Sequence, residues 1–294
     1  MNNEDNNNGP GGPFEPGEAI SDSFGPVQRE ITETETPVID VFTVRGFTIS
    51  SIEKSMTDLG NKLLYENNDV YFGEQYDGFR HGVGKYVYAE TNSLYFGEWS
   101  LGNRHGQGVF KWKDGDKYEG NWVFGKMHGK GKYTFTNGDN YDGEWNNDVK
   151  HGYGEYLYIS SGSVYKGHWI ADKRNGKGTY TWDIGDSYEG EWYESQMNGF
   201  GIYKYATGDR YEGNWLSDKK SGFGKYFNFN GDRYEGNWID GYQTGKGIYY
   251  FENGDVYEGE FKENEFHGYG KITYIDGEVE EGFWINGELL KNEE

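Results

Sequence analysis

The chain of 294 residues contains no cysteine, which excludes disulfide bonds and thiol chemistry and fits a reducing compartment. Apolar residues are scarce, at 34% of the chain, and no stretch approaches the roughly 20 residues that a membrane-spanning helix requires. The N-terminal stretch MNNEDNNNGPGG has neither a basic nor an apolar segment, unlike a signal peptide. We therefore expect a cytoplasmic protein.

Basic residues are also few. The chain has 28 lysines and arginines against 50 acidic residues, a net charge of −22. Residues 1–60 hold 11 of the acidic residues and 3 of the basic ones, so both the N-terminal part and the remainder are acidic. This balance excludes nucleic-acid binding by charge and disfavours a general attraction to anionic membranes.

Aromatic residues and glycine are abundant, at 19% and 48 residues, and they recur in a unit of 23 residues. The clearest copy spans residues 118–140, with the pattern Y-x-G-x-W, a six-residue connection, G-x-G-x-Y-x-F and N-G-D. Successive copies are 23 or 24 residues apart, which is the signature of a repeat architecture. The copies begin at Tyr71, Tyr95, Tyr118, Tyr141, Tyr165, Tyr188, Tyr211, Tyr234 and Tyr257, with a degraded copy at Glu280.

Each unit predicts a β-hairpin. Alternation along a strand places Tyr118, Gly120 and Trp122 on one face and the polar Glu119 and Asn121 on the other. Dipeptides such as Asn137-Gly138 mark tight turns, and the extra residue of the two longer units falls in these turns. The third residue after each tryptophan is Gly, Asp, Ser or Asn, which predicts a left-handed backbone there.

The chain divides by composition into four parts. Residues 1–37 are predicted to be a disordered acidic tail, and residues 289–294 an acidic C-terminal end. Residues 38–60 are predicted to contain a strand within 38–48 and then a short amphipathic helix, which either caps the array or docks into a groove. The apolar face of that helix would carry Ile52, Met56, Leu59 and Leu63. Residues 61–288 form the array: a half repeat, nine repeats and a degraded terminal repeat.

Two kinds of residue resemble catalytic or metal-binding groups. Histidine opens the second strand in five copies, but equivalent atoms in adjacent hairpins would lie about 10 Å apart, which is too far for one metal ion. Asparagine, serine or threonine replaces it in other copies, so we expect a hydrogen-bonding turn residue. The recurring carboxylates indicate a solvated acidic face. We predict no enzymatic activity, no cofactor and no metal site. The histidines are His81, His105, His128, His151 and His267.

A mostly basic row stands five residues after the tryptophan position. It would be either ordinary solvated charge in a loop or a contact ridge for an acidic partner or an anionic phospholipid. The basic members are Arg80, Arg104, Lys150, Arg174 and Lys220.

The Y-E-G-x-W…H-G-x-G…N-G-D unit resembles the MORN (membrane occupation and recognition nexus) repeat over residues 61–288. This resemblance implies an all-β, elongated, single-layer antiparallel sheet of stacked hairpins with an aromatic-lined groove. Members of the family are scaffolds, often cytoskeletal or ciliary. An array that fills most of the chain beside an acidic tail is similar to the radial spoke head proteins of cilia and flagella. The sequence departs from the pattern at Gln75, Asn228, Phe261 and Glu280.

The resulting hypothesis is that the protein is a non-enzymatic scaffold of a ciliary axoneme or another cytoskeletal assembly. Its partners would be other proteins of that assembly, and copies of the chain could also associate with one another. An exposed ring-lined groove would bind a partner helix or strand, or residues 38–60 of the chain itself. The alternative is a membrane-recruitment module that uses the basic row. The predicted groove residues are Tyr118, Trp122, Tyr141, Trp145, Tyr165, Trp169, Tyr188, Trp192, Tyr211 and Trp215.

Overall fold

The computed structural model describes residues 43–44, 47–48 and 62–290, and every regular element in these residues is a β-strand. None of the described residues forms a helix long and apolar enough to span a membrane. Strands β3 to β9 pair antiparallel with their neighbours in the chain, and strands β11 to β23 do the same. The prediction of an all-β antiparallel array of hairpins is therefore confirmed.

The strands have the following bounds. β1 to β9 are Thr43–Val44, Phe47–Thr48, Lys62–Leu64, Val70–Tyr76, Phe79–Tyr88, Ser93–Ser100, Asn103–Lys111, Lys117–Val123 and Lys126–Thr134. β10 to β16 are Asn140–Asn146, Val149–Leu157, Val164–Ile170, Lys173–Thr181, Ser187–Tyr193, Gln196–Lys204 and Arg210–Leu216. β17 to β23 are Lys219–Phe227, Arg233–Ile239, Tyr242–Tyr250, Val256–Lys262, Glu265–Thr273, Val279–Ile285 and Glu288–Leu289.

The predicted N-terminal tail and most of the predicted helix lie outside the described residues. One part of the helix prediction is wrong. Leu63 lies in β3, which pairs with β4, and its side chain is 4% exposed because it packs as a strand residue of the array. Within residues 38–48, the predicted single strand is replaced by two strands, β1 and β2, which pair with each other.

The chain divides into two compact units. Unit 1 comprises Met1–Thr136 and Asp142–His151, and unit 2 comprises Asn137–Tyr141 and Gly152–Glu294. In both units the tyrosine, glycine and tryptophan of each Y-x-G-x-W strand point to one face of the sheet, here called the ring face. The alternate residues point to the opposite side, here called the outer face.

In unit 1, part of the outer face is covered. β1 lies against β7, and the outward-pointing Phe96 and Val109 of β6 and β7 are buried. The equivalent positions in the next hairpin are Glu119 and Lys132, which are more exposed. Apolar side chains therefore stand on the outer face of unit 1 at the place where the N-terminal hairpin lies.

The turn after each tryptophan is tighter than predicted. The six-residue connection is a two-residue turn, because both flanking strands continue through it, as in the pairing of Trp122 with Met127. Both turn residues have positive φ, for example 46° at Leu101 and 83° at Gly102. This is the type I′ geometry that suits the twist of a hairpin. Only the second of the two left-handed residues was predicted.

The opposite turns contain the N-G-D sequence. Trp112 O accepts a hydrogen bond from Gly115 N, and Trp112 N donates to Asp116 O, which defines a three-residue loop with glycine at positive φ. In the longer unit Tyr158 O instead accepts from Gly162 N, one residue further on. The extra residue therefore lies in the turn, as predicted, and leaves the strand register unchanged.

Candidate functional site

The ten predicted groove residues are buried in the structure. Their side chains are 0–5% exposed, so the expectation of an exposed face lined by these rings is wrong. Tyr118 meets the edge of its own Trp122 at 5.1 Å and that of Trp145 in the next repeat at 5.5 Å between ring centroids, and the same two contacts recur at Tyr165, Tyr188 and Tyr211. The rings thus cover one another, and together they form the core.

The polar atoms of these rings are also satisfied internally. Tyr118 Oη donates to Asn121 O at 3.0 Å, and Trp122 Nε1 donates to Gly108 O at 3.2 Å in the preceding hairpin. The tyrosine lies directly over a pair of glycines, since a Cβ on Gly120 would stand 2.6 Å from Tyr118 Oη. The repeated glycines therefore make room for the ring, and the Tyr–Trp set holds the hairpins together.

The position of the basic row differs from the predicted one, which was a solvated ridge in a loop. Because the turn has only two residues, this row lies within the second strand and faces the rings. In unit 1, the guanidinium of Arg104 lies 4.6 Å from the Trp122 centroid and 4.9 Å from that of Phe110. Its Nη2 donates to Gly125 O at 2.7 Å. Arg80 packs in the same way and is buried, while Lys150 is half-buried.

Unit 2 repeats this arrangement at Arg174 and Lys220. Arg174 lies 4.4 Å from the Trp192 centroid, and its Nη2 donates to Ser195 O at 2.8 Å. Lys220 Nζ lies 4.4 Å from the Tyr226 centroid and 4.9 Å from that of Trp238. The aromatic faces attract these cations. Burial nevertheless lowers the pKa of Lys220 to about 8, and the nearby Asp209 partly offsets that shift.

Replacing Lys220 by methionine, which occupies the equivalent positions 127 and 197, is expected to stabilise the protein at pH 7. The folded-state pKa of Lys220 is below its unfolded value, so the unfolded chain binds more protons between about pH 8 and 10.4. The advantage of Lys220→Met should shrink by on the order of 2 kcal/mol between pH 7 and about pH 9.5, where the tyrosines are still largely protonated. Urea unfolding at a series of pH values measures it.

The matched control is Arg174→Met, because a guanidinium stays charged throughout this range. The effect of Arg174→Met on the free energy of unfolding should be the same at pH 7 and at about pH 9.5. An effect of Lys220→Met that does not change with pH would contradict the prediction.

The accessible part of the ring face consists of a second aromatic row, which the groove prediction omitted. These side chains come from the second strand of each hairpin and the residue that follows it. In unit 1, Trp112 lies between Phe110 at 4.4 Å and Tyr133 at 5.2 Å. In unit 2, Trp182 lies between Tyr180 at 4.5 Å and Tyr203 at 5.2 Å. The row is half-buried at most positions, among them Trp112, Phe135, Tyr156, Tyr158, Tyr180, Trp182, Tyr203, Tyr205 and Tyr226.

The aspartate of N-G-D links consecutive hairpins, a role that its turn position alone did not predict. Asp186 Oδ2 accepts from Tyr203 Oη at 2.6 Å, and Asp186 Oδ1 accepts from Ala206 N at 2.8 Å. Asp116 makes the same two contacts with Tyr133 Oη and Thr136 N. The same pair of hydrogen bonds recurs at Asp69, Asp139, Asp209 and Asp232.

The outer face is less acidic than predicted. In unit 2 its carboxylates pair with basic side chains on neighbouring strands, as in Lys166–Glu155 at 3.0 Å and Lys225–Glu235 at 3.0 Å. Arg233 also contacts Glu235 and lies 4.1 Å from the Tyr250 centroid. The predicted solvated acidic face therefore also carries bases and rings in unit 2, where they alternate with its acids.

The histidine row does not form a ligand cluster. Within residues 62–290, no group of three or more histidines and carboxylates could hold a metal ion. The Nδ1 atoms of His81, His105, His128 and His267 are buried and have no hydrogen-bond partner among the described protein atoms. His168 differs, since its Nδ1 lies 3.1 Å from Lys177 O.

These features define a tandem-hairpin repeat protein, with an aromatic core shared between hairpins and a half-buried aromatic and basic ring face. Its units match the model of the MORN repeat nine times, and the chain belongs to this family. The matched residues are 71–92, 95–117, 118–140, 141–163, 165–187, 188–210, 211–233, 234–256 and 257–279.

Comparison with other proteins adds little to this assignment. No curated protein matches the chain. Among solved structures, the SAS-4 (dCPAP) TCP domain of Drosophila melanogaster, in complex with a proline-rich motif of Ana2 (dSTIL), is 10% identical, with coverage of 60% of this chain and 83% of that one and a TM-score of 0.30. The TCP10 domain of Danio rerio CPAP is 12% identical, with coverage of 76% and 88% and a TM-score of 0.28. Scores this low carry no inference about function.

Proposed function

We propose that the protein is a non-enzymatic scaffold that binds segments of other proteins along the ring face. The observation that supports this proposal is the second aromatic row, which leaves rings such as Trp182, Tyr180 and Tyr205 half-buried, with Arg174 over Tyr180 and Lys220 over Tyr205. Aromatic rings next to desolvated cations suit a segment that carries both apolar and acidic side chains. The Tyr–Trp core supports the face without contacting the partner.

The setting that we propose is a ciliary axoneme, as a radial spoke head-like component, or another cytoskeletal assembly in the cytoplasm. Its support is the layout of the chain, in which the repeats account for most of the length beside an acidic N-terminal stretch. The partners would be other subunits of that assembly, with association between copies of the chain as an additional contact.

Alanine at both Trp182 and Tyr205 is expected to reduce partner recovery from a ciliated-cell extract at least tenfold, because it removes two accessible rings of one continuous surface. Affinity purification with quantitative mass spectrometry measures recovery. The control is Phe229→Ala with Ile275→Ala, which removes two side chains that are 76% and 75% exposed at turns. Circular dichroism establishes that both variants are folded. Equal recovery with the two variants would contradict the proposal.

Membrane recruitment through the basic row has less support, because Arg80, Arg104, Arg174 and Lys220 lie over rings. Flotation with vesicles of phosphatidylcholine and phosphatidylinositol bisphosphate, at low and physiological salt, separates the two functions. Association that persists at physiological salt and is lost in Arg104→Gln with Arg174→Gln would favour the membrane.

A further inference from the structure

The outer face of unit 2 carries a row of exposed apolar side chains, here called row A. Each member directly follows the buried aromatic residue of its strand, so it points away from the ring face. Row A has one member on each of β12, β14, β16 and β18, and each side chain is 52–60% exposed. Its members are Ile170, Tyr193, Leu216 and Ile239.

A second apolar row, here called row B, runs beside row A. Its members, Phe200 on β15 and Phe223 on β17, are both 54% exposed. They pair across the sheet with Asn214 and Asn237. Because Asn214 and Leu216 are two residues apart on one strand, rows A and B are separated by about 7 Å along the strands.

The repeat fold itself does not require these rows. In unit 1, row A positions hold Ser100 and Asn146 as well as the apolar Tyr76 and Val123, and row B positions hold Gln107 and Lys130 as well as the apolar Val83. Four successive hairpins of unit 2 each carry an apolar row A residue, whereas polar residues interrupt the row in unit 1. Contiguous exposed apolar surface of this kind marks an interaction site.

The spacing of the rows identifies the kind of partner. Members of row A are two strands apart, which is about 9.6 Å at a strand separation of about 4.8 Å. Residues seven apart on an α-helix are about 10.5 Å apart along its axis. A helix laid across the strands would therefore place one heptad over each hairpin. The four members of row A are separated by three such intervals, which a helix of about 20 residues spans.

The turns beside row A supply the charge preference. The four turns next to Ile170, Tyr193, Leu216 and Ile239 carry one acidic residue each, namely Asp172, Glu194, Asp218 and Asp240. Lys173 contacts Glu194 and Lys219 contacts Asp240, so these four turns and their lysines together hold four acidic and two basic residues. A helix over rows A and B would place basic residues on the flank that faces these turns.

We propose that rows A and B bind an amphipathic α-helix of another protein, with a heptad repeat of apolar residues and a basic flank, lying across β12 to β18. This contact lies on the side of the sheet opposite the ring face and goes beyond the proposed function. Six half-exposed side chains offer roughly 600 Å², at the low end for one side of a specific interface. The affinity expected is on the order of 10 μM.

The test uses a labelled synthetic peptide of three heptads, with leucine at a and d and lysine at e and g. Fluorescence anisotropy should show binding to the full chain, and a shuffled peptide of the same composition should bind at least tenfold more weakly. Tyr193→Gln with Leu216→Gln should weaken binding at least tenfold. Phe229→Gln with Ile275→Gln, which changes exposed apolar residues outside the rows, should leave it unchanged.

Three results would overturn the proposal: equal binding of the shuffled peptide, an equal effect of the control variant, or no binding. Sedimentation velocity tests whether a second copy of the chain occupies rows A and B instead. If the wild-type protein is a dimer and Tyr193→Gln with Leu216→Gln converts it to a monomer, the rows form a contact between copies of the chain. That result would also overturn the proposal of a helical partner. Trp182→Ala with Tyr205→Ala should not change peptide binding, so failure here and failure of the ring-face proposal are distinguishable.

Discussion

Unfolding is expected to begin abruptly when the pH is raised above about 10, before the buried tyrosines ionise in the folded state. Burial raises the phenol pKa of fourteen tyrosines in the array, to about 12 at Tyr158, Tyr249 and Tyr257 and further at the others. The others are Tyr71, Tyr95, Tyr118, Tyr133, Tyr165, Tyr188, Tyr203, Tyr205, Tyr211, Tyr226 and Tyr234.

The sign follows from proton binding. A raised folded-state pKa means that the folded protein holds more protons than the unfolded chain above pH 10, so stability is complete below pH 10 and falls as the pH rises. At pH 11 each such phenol lowers the free energy of unfolding by about 1.4 kcal/mol. Fourteen of them exceed the roughly 5–15 kcal/mol by which a domain is usually stable.

Phenolate absorbance and circular dichroism, recorded together during an alkaline titration, measure this effect. Most of the phenolate signal should appear in the same narrow pH interval as the loss of β-structure. The control is the same titration in urea, where the absorbance should follow a broad curve centred near pH 10. A broad phenolate curve in buffer, with the circular dichroism unchanged, would contradict the prediction.

Asp186→Ala is expected to lower the free energy of unfolding by roughly 3 kcal/mol, the largest effect of any single polar substitution that we predict. The change leaves the Tyr203 hydroxyl and the Ala206 N–H without their acceptor in a partly buried position. Both groups then lose a hydrogen bond without regaining water. Urea unfolding followed by tryptophan fluorescence measures the loss.

A double-mutant cycle with Tyr203→Phe tests the cause. Phenylalanine removes the orphaned hydroxyl, so the double variant should be more stable than the sum of the two single effects by about 1–2 kcal/mol. The chain contains one natural counterpart, Ser93 with Phe110, but Ser163 replaces the aspartate in another repeat where Tyr180 is kept. Strictly additive effects would show that Asp186 stabilises its own turn alone.

The period, the strand alternation and the turn residues of this protein could be predicted because they follow from local chemistry. Asn137-Gly138 and the residue three after each tryptophan were placed in turns on residue type alone. Leu101 and Phe124 have φ of 46° and 49°, a conformation that their side chains disfavour. The strand register forces this conformation, so their residue type gave no signal for it.

The accessibility of the rings could not be predicted, because alternation fixes the face of a side chain and not its depth. Tyr118 and Trp122 share a face as expected, yet Trp145 of the next hairpin covers Tyr118, and Tyr95 of the preceding hairpin covers Trp122. The position of Arg104 was missed for a related reason. A six-residue loop would leave its side chain in water, whereas the two-residue turn directs it onto Trp122 and Phe110.

The hydrogen bonds that join hairpins connect residues that are close in the sequence. Trp122 reaches back 14 residues to Gly108, and Asp186 reaches forward 17 and 20 residues to Tyr203 and Ala206. Each contact ends within one neighbouring unit, so gene duplication or deletion of a whole unit would restore every contact at the junction. The number of repeats can therefore change during evolution. Selection can act on the length of the array without requiring new packing contacts.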